Sequence, residues 1–254
     1  MDVICGEASF IDARTVKVER AGSEALRLSA EKIFINTGAK PVIPPIDGLN
    51  RVPSLDSTSI MELDALPKHL LIVGGGYIAI EFGQMFRRYG SQVTIIERGE
   101  QLVAREDSDV AEEVYRILRE GGIDVRLKAR PSRVEANAQG EIQLSVNGDS
   151  GEATVKGSHL LIATGRHPNV DHLNLGAAGV EMDEKGYVKV NDRLETNVSG
   201  IYAIGDIKPG PPSLVSRAMI FASSKPTFVS YLGDTHGRKN YGCPFPRKDL
   251  HRAM

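Results

Sequence analysis

The chain has 254 residues, room for one large domain or two small ones, and its 41% hydrophobic and 25% charged residues support a packed core and exclude wholesale disorder. Lys and Arg total 31 against 33 Asp and Glu, a formal net charge of -2 that argues against a nucleic-acid backbone as the main partner. With only Cys5 and Cys243, no apolar run near the roughly 20 residues of a membrane span and no basic leader, the chain reads as soluble and cytoplasmic, with a small-molecule partner and no membrane one.

Short alternating segments open the chain as β structure: Val3 to Ile11, Thr15 to Arg20 and Ala25 to Leu28. A buried strand, Lys32 to Asn36, follows and ends at Thr37-Gly38. The proline-laden stretch Lys40 to Gly48 then reads as a crossing between domains, and a helix is expected from Ser57 to Leu63. His69 to Val73 is an apolar strand running into Gly74-Gly75-Gly76. Tyr77 to Tyr89 has helical spacing and stops at Gly90. Val93 to Glu97 is the next strand, a helix capped by Ser108 or Asp109 runs through Arg119, and Asp124 to Leu127 is a third strand. Arg133 to Val146 reads as a hairpin-rich insertion, after which His159 to Ala163 returns as a buried strand into Thr164-Gly165. Strand, helix, strand, helix, strand is the signature of βαβ units on a parallel sheet.

The chemistry sits at Gly74-Gly75-Gly76-Tyr77-Ile78-Ala79, a G-x-G-x-x-[G/A] match between a strand and a helix. Gly74 permits the tight turn, Gly76 lets the backbone approach a pyrophosphate, and Ala79 keeps the helix close to the strand. The pyrophosphate would then face free amides and the positive end of the helix dipole. Glu97 closes the next strand 23 residues after Gly74. A carboxylate there accepts the ribose hydroxyls of NAD and repels the 2′-phosphate of NADP. Arg98 and Arg105 could neutralise that phosphate, so NADP stays open behind NAD. Two strands end alike in Thr-Gly, at Gly38 and Gly165, and Gly200 to Asp206 places an aspartate just after a strand and a glycine.

In this order, these motifs resemble the pyridine nucleotide-disulfide oxidoreductases, in the branch that contains mercuric reductase and dihydrolipoamide dehydrogenase. The resemblance runs from about Gly6 to Asp206. It implies an α/β, Rossmann-like FAD/NAD(P)-binding fold, with an intact NAD(P) domain inserted in an incomplete FAD domain. The segments would be 1–47 and 168–207 for the FAD part, 48–167 for the NAD(P) part, and 208–254 as an atypical tail. By the same resemblance, Thr37, Gly38, Ala39 and Asp206 belong to the FAD side, and Gly74 to Glu81 with Glu97 to the NAD(P) side. Val134 and Gly165 would be the adenine-side and nicotinamide-side contacts, and Glu81 would face the flavin. Asn36 and Ala79 stand where alanine and glycine are more common.

The family relays hydride from nicotinamide to flavin and on to a Cys-x-x-x-x-Cys pair. No such pair is present, nor a second glycine motif ahead of Gly74, nor the C-terminal dimerisation domain with its His-Glu pair. His236 and His251 have no acidic partner at a matching place. No residue is therefore given a catalytic or metal-ligating role. The reading is a truncated family member that keeps dinucleotide binding, retains FAD poorly and lacks disulfide-reductase chemistry on its own. The alternatives are a non-catalytic NAD-binding module, a remnant of a disrupted gene, or a flavoenzyme whose missing half comes from another polypeptide. The last 47 residues carry 8 Lys and Arg, 2 Asp and Glu and 6 of the 13 prolines. They read as a shifted reading frame, a divergent tail or a basic arm.

Overall fold

The computed structural model describes residues 2–149 and 151–209 and the backbone of 228–229. Most of the Pro-rich basic tail, with Cys243, His236 and His251, lies outside the described residues. The chain divides into two compact units, Pro41–Arg166 and a second one built from Met1–Lys40 with the residues from His167 onward.

The second unit starts with an antiparallel meander, β1 (Glu7–Asp12), β2 (Thr15–Arg20) and β3 (Ser23–Ser29), followed by β4 (Ile33–Ile35) and β5 (Ala39–Pro41). In β1 and β2 the period of two puts Ala8, Phe10, Val16 and Val18 inward, all at 4% exposure or less. The first strand begins later than the apolar residues suggest, because Val3 is half exposed and outside the ladder.

The unit Pro41–Arg166 is an α/β layer structure. Its strands are β6 (Ser54–Leu55), β7 (His69–Val73), β8 (Gln92–Ile96) and β9 (Asp124–Arg126), with α1 (Tyr77–Arg88) and α2 (Ser108–Glu120) between the last three. The antiparallel strands β10 (Arg130–Ala136), β11 (Ile142–Gly148) and β12 (Gly151–Gly157) come next, and β13 (His159–Ile162) closes the unit. The main sheet is parallel, in the order β6-β13-β7-β8-β9.

Both faces of this sheet are covered, which is why its strands read as unbroken apolar runs. Leu70, Ile72, Val93 and Ile95 pack with Ala79, Phe86, Ala111 and Leu118 of the two helices. The alternate residues Leu71, Val73 and Ile96 pack instead with Ile142, Leu144 and Val146 of the β10-β11-β12 meander. The hairpin-rich insertion expected over Arg133 to Val146 is this antiparallel layer, which starts at Arg130 and extends by a third strand to Gly157. The helix expected over Ser57 to Leu63 is a single 3-10 turn, Ser59–Glu62. The Asp56 carboxylate accepts from the amides of Thr58 and Ser59, each at 2.8 Å, which starts the turn, and extended Leu63 ends it.

The chain returns to the second unit through β14 (Arg166–Pro168) and adds β15 (Ile201–Ala203), which pairs in parallel with β4. The strand β16 (Phe228–Val229) pairs in parallel with the other edge of β4. Among the described residues no helix is long and apolar enough to cross a membrane, which leaves β-barrels unaddressed.

Candidate functional site

In an open parallel sheet, ligands lie beyond the carboxyl ends of the strands, where the connections diverge to either side. Here that place is the end of β7. The chain leaves β7 through α1 toward β8, while β13 returns on the opposite side of β7. The three glycines occupy this end, and a side chain would meet different surroundings at each. Gly74 has φ +115, and a Cβ there would overlap the carbonyl oxygen of Ala163 just after β13. At Gly75 a Cβ would stand 2.8 Å from both Glu97 Cγ and Leu102 Cδ2. At Gly76 it would meet nothing within 4 Å, and the backbone is extended with φ -83 and ψ -176. Of the three, position 76 alone has no protein atom that would exclude a side chain.

Gly76 is the N-cap of α1 and supplies no side-chain cap. The first-turn amides of Tyr77, Ile78 and Ala79 have no carbonyl one turn earlier in the helix, so they present a concentrated positive dipole end. Ile80 already donates to the Gly76 carbonyl at 3.1 Å. Ala79 is completely buried against the sheet, as the motif requires, and Ile78 is half-buried.

The sheet also delivers the acidic residue. Glu97 follows β8 directly, half-buried, with its Oε2 2.9 Å from where a Gly75 Cβ would be. Its Oε1 accepts from the Gly99 amide at 2.6 Å. One carboxylate oxygen therefore orients the side chain and the other lies over the glycine bend. The Tyr77 hydroxyl, at the start of α1, donates to the Glu106 carboxylate, and this bond raises the phenol above its ordinary value.

Gly165 lies two residues beyond Ala163, so the structure brings it to the same end of the sheet as Gly74. It is exposed, and its carbonyl accepts from the Val42 amide at 3.0 Å while Thr164 Oγ1 donates to the Val42 carbonyl. Arg98, Arg105 and Glu81 are exposed. Val134 is 1% exposed in the core beneath the meander, and the contacts joining Gly74, Gly75 and Glu97 do not include it.

In the other unit, β4 and β15 run in parallel, so Thr37-Gly38 and Gly205-Asp206 share one sheet end. Gly205 abuts the Asn36 side chain so closely that a Cβ would collide with its oxygen. Thr37 is buried, and Asn169 locks the turn by donating its amide to the Thr37 carbonyl at 2.8 Å and accepting from Thr37 Oγ1 at 2.9 Å through its own carbonyl. Ala39 is buried and Asp206 exposed. Sequence reasoning missed Asn169, and also Gly83, where a Cβ would stand only 3.1 Å from Ile95 Cδ1, so glycine there lets α1 pack closely on β8. Gly83 falls four residues after Ala79 on the same helix face, a spacing that points to the contact.

A family model described as pyridine nucleotide-disulphide oxidoreductase matches residues 1–220. A mercuric reductase of Lysinibacillus sphaericus is 41% identical over 83% of this chain and 37% of its own length. A dihydrolipoyl dehydrogenase of Geobacillus stearothermophilus is 34% identical over 83% of this chain and 44% of its own. Among solved structures, the copper(II) complex of the HOCl-induced flavoprotein disulfide reductase RclA of Escherichia coli superposes with a TM-score of 0.74 at 41% identity. That match covers 83% of this chain and 46% of the reductase. The chain thus spans less than half the length of each of these relatives.

Proposed function

Given that the chain belongs to the pyridine nucleotide-disulphide oxidoreductases, whose members use FAD and NAD(P)H, we propose that the unit Pro41–Arg166 is its nicotinamide-dinucleotide site. The bend Gly74–Ala79 holds the diphosphate, with the amides after Gly76 donating to its oxygens. Glu97 accepts the adenosine ribose hydroxyls, which selects NAD over NADP by charge. Arg98 flanks this subsite, with Val134 on the adenine side and Gly165 on the nicotinamide side. In the other unit, Thr37, Gly38, Ala39 and Asp206 form the contribution to FAD. When both groups are bound, they supply hydride transfer from nicotinamide to flavin.

The chain's own part is to bind and orient. The dipole end of α1 meets the diphosphate, and the half-buried setting of Glu97 strengthens a charged hydrogen bond relative to open water. The two cysteines of the sequence form no Cys-x-x-x-x-Cys pair. We accordingly assign these 254 residues no reduction of disulfide, mercuric or lipoyl substrates.

The empty surroundings of the Gly76 Cβ position are the observation that carries this reading. Separate NADH and NADPH titrations, with Glu97→Ala beside the unaltered chain, test it. The unaltered chain binds NADH more tightly, and the variant loses about tenfold in NADH affinity, the worth of a charged hydrogen bond. Equal NADH binding by the two removes Glu97 from the site. A flavin spectrum in the purified protein would show that the FAD side is competent as well.

A further inference from the structure

The loop that follows Glu97 folds back onto the glycine bend and is bonded to itself. Within it, Gln101 Nε2 donates to the Glu106 carbonyl at 3.1 Å and the Glu106 amide to the Val103 carbonyl at 2.7 Å, while the Lys128 backbone amide, beyond β9, donates to the Gly99 carbonyl at 2.8 Å. At its centre Val103 has φ +41, the left-handed region that a β-branched side chain rarely adopts. Its side chain and that of Leu102 are buried, at 5% and 1%, in the core shared with α1 and α2. Leu102, the more deeply buried of the two, anchors the turn together with the loop's own hydrogen bonds. The result is one specific contact, in which the Val103 N–H donates to the Gly75 carbonyl at 2.8 Å.

The peptide joining Gly75 to Gly76 is planar and trans, so its C=O and N–H point in opposite directions. Tying the Gly75 carbonyl to the loop therefore turns the Gly76 N–H away from the loop. Neither residue carries a side chain to restrict that plane, because glycine adopts a wide range of φ and ψ. We infer that Val103 is a positioning residue for dinucleotide binding: its backbone N–H fixes the Gly75–Gly76 peptide plane so that the bend is arranged for a diphosphate before one arrives. This inference rests on the proposed function and adds to it a residue outside the motif. Preorganisation of this kind raises affinity by removing an ordering cost.

The test replaces Val103 in the full chain by its α-hydroxy acid analogue, which deletes the N–H and keeps the side chain and chain direction. NADH affinity is measured by titration at a temperature where each protein is fully folded by circular dichroism. The ester form binds NADH about fivefold to tenfold more weakly, the worth of one neutral hydrogen bond. Val103→Gly, which keeps the N–H and suits a positive φ, restores affinity to within about threefold of the unaltered chain. Ester and unaltered proteins of equal affinity overturn the inference, as does an equal loss in the ester and in Val103→Gly, which would make the side chain responsible. Should the ester form fail to fold, hydrogen exchange in the unaltered chain decides. The Val103 amide slows several-fold on adding NADH, and unchanged exchange overturns the inference. An unaltered chain that does not bind NADH at all removes the proposed function itself, and the inference with it.

Discussion

Gly74, Gly75 and Gly76 are consecutive and chemically identical, yet a methyl group would meet a different fate at each. At Gly74 it collides with backbone and imposes a left-handed φ, so Gly74→Ala lowers thermal stability by about 2–4 kcal/mol, read from denaturant unfolding. At Gly76 the backbone is extended and the space is open, so Gly76→Leu leaves stability within about 0.5 kcal/mol while weakening NADH binding thirtyfold or more, about 2 kcal/mol. A Gly76→Leu variant with unaltered NADH affinity would move the nucleotide elsewhere. The motif made the turn at Gly74 legible, because its spacing after an apolar strand calls for a residue that tolerates positive φ; the roles of Gly76 and Glu97 belong to the proposed function. The reason for Gly75 was not legible. It depends on Leu102 and Glu97 folding back over the bend, and nothing in local propensity announces a valine at positive φ.

Elements that were legible are those whose burial is two-sided or whose ends are marked. Strands β7, β8 and β13 announce themselves as apolar runs because helices cover one face and a meander the other, and α1 and α2 end at glycines. Strand β12 was hidden because only Val155 and the flanking Gly157 are buried, leaving no alternation to read. Packing between α1 and the sheet is tight enough for a test: Ala79→Leu overfills a fully buried contact and costs about 1–3 kcal/mol in chemical denaturation. A second test concerns pH. His69 Nε2 lies 2.9 Å from Thr94 Oγ1, and His159 Nδ1 lies 3.0 Å from Ser158 Oγ, near the amino ends of β7 and β13. Burial lowers both histidines below their ordinary value of 6.5, which for His69 outweighs the opposing pull of Asp124. The folded state therefore binds fewer protons than the unfolded one, and stability falls as pH drops below about 6.5. Unfolding midpoints between pH 7.5 and 5 should decline, and the decline should shrink in a His69→Gln variant. Midpoints that rise on acidification would contradict this assignment.

At the scale of the molecule, two units with separate cores share one chain that passes from the second to the first and back. The family resemblance implied segments 1–47 and 168–207 around 48–167, and the two units divide after Lys40 and after Arg166. Sequence order alone could not show which contacts join Glu97, Gly75 and the end of β13. Those contacts arise only when strands far apart in sequence line up in parallel, with Gly74 against Ala163 across 89 positions. The central claim is that a dinucleotide diphosphate lies on the bare amides after Gly76. Amide chemical shifts followed by NMR through an NADH titration test it most directly. The account predicts the largest changes at Gly75 to Ala79 and at Glu97, with β1 to β3 unmoved. Largest changes in that meander, with the glycine bend silent, would contradict it.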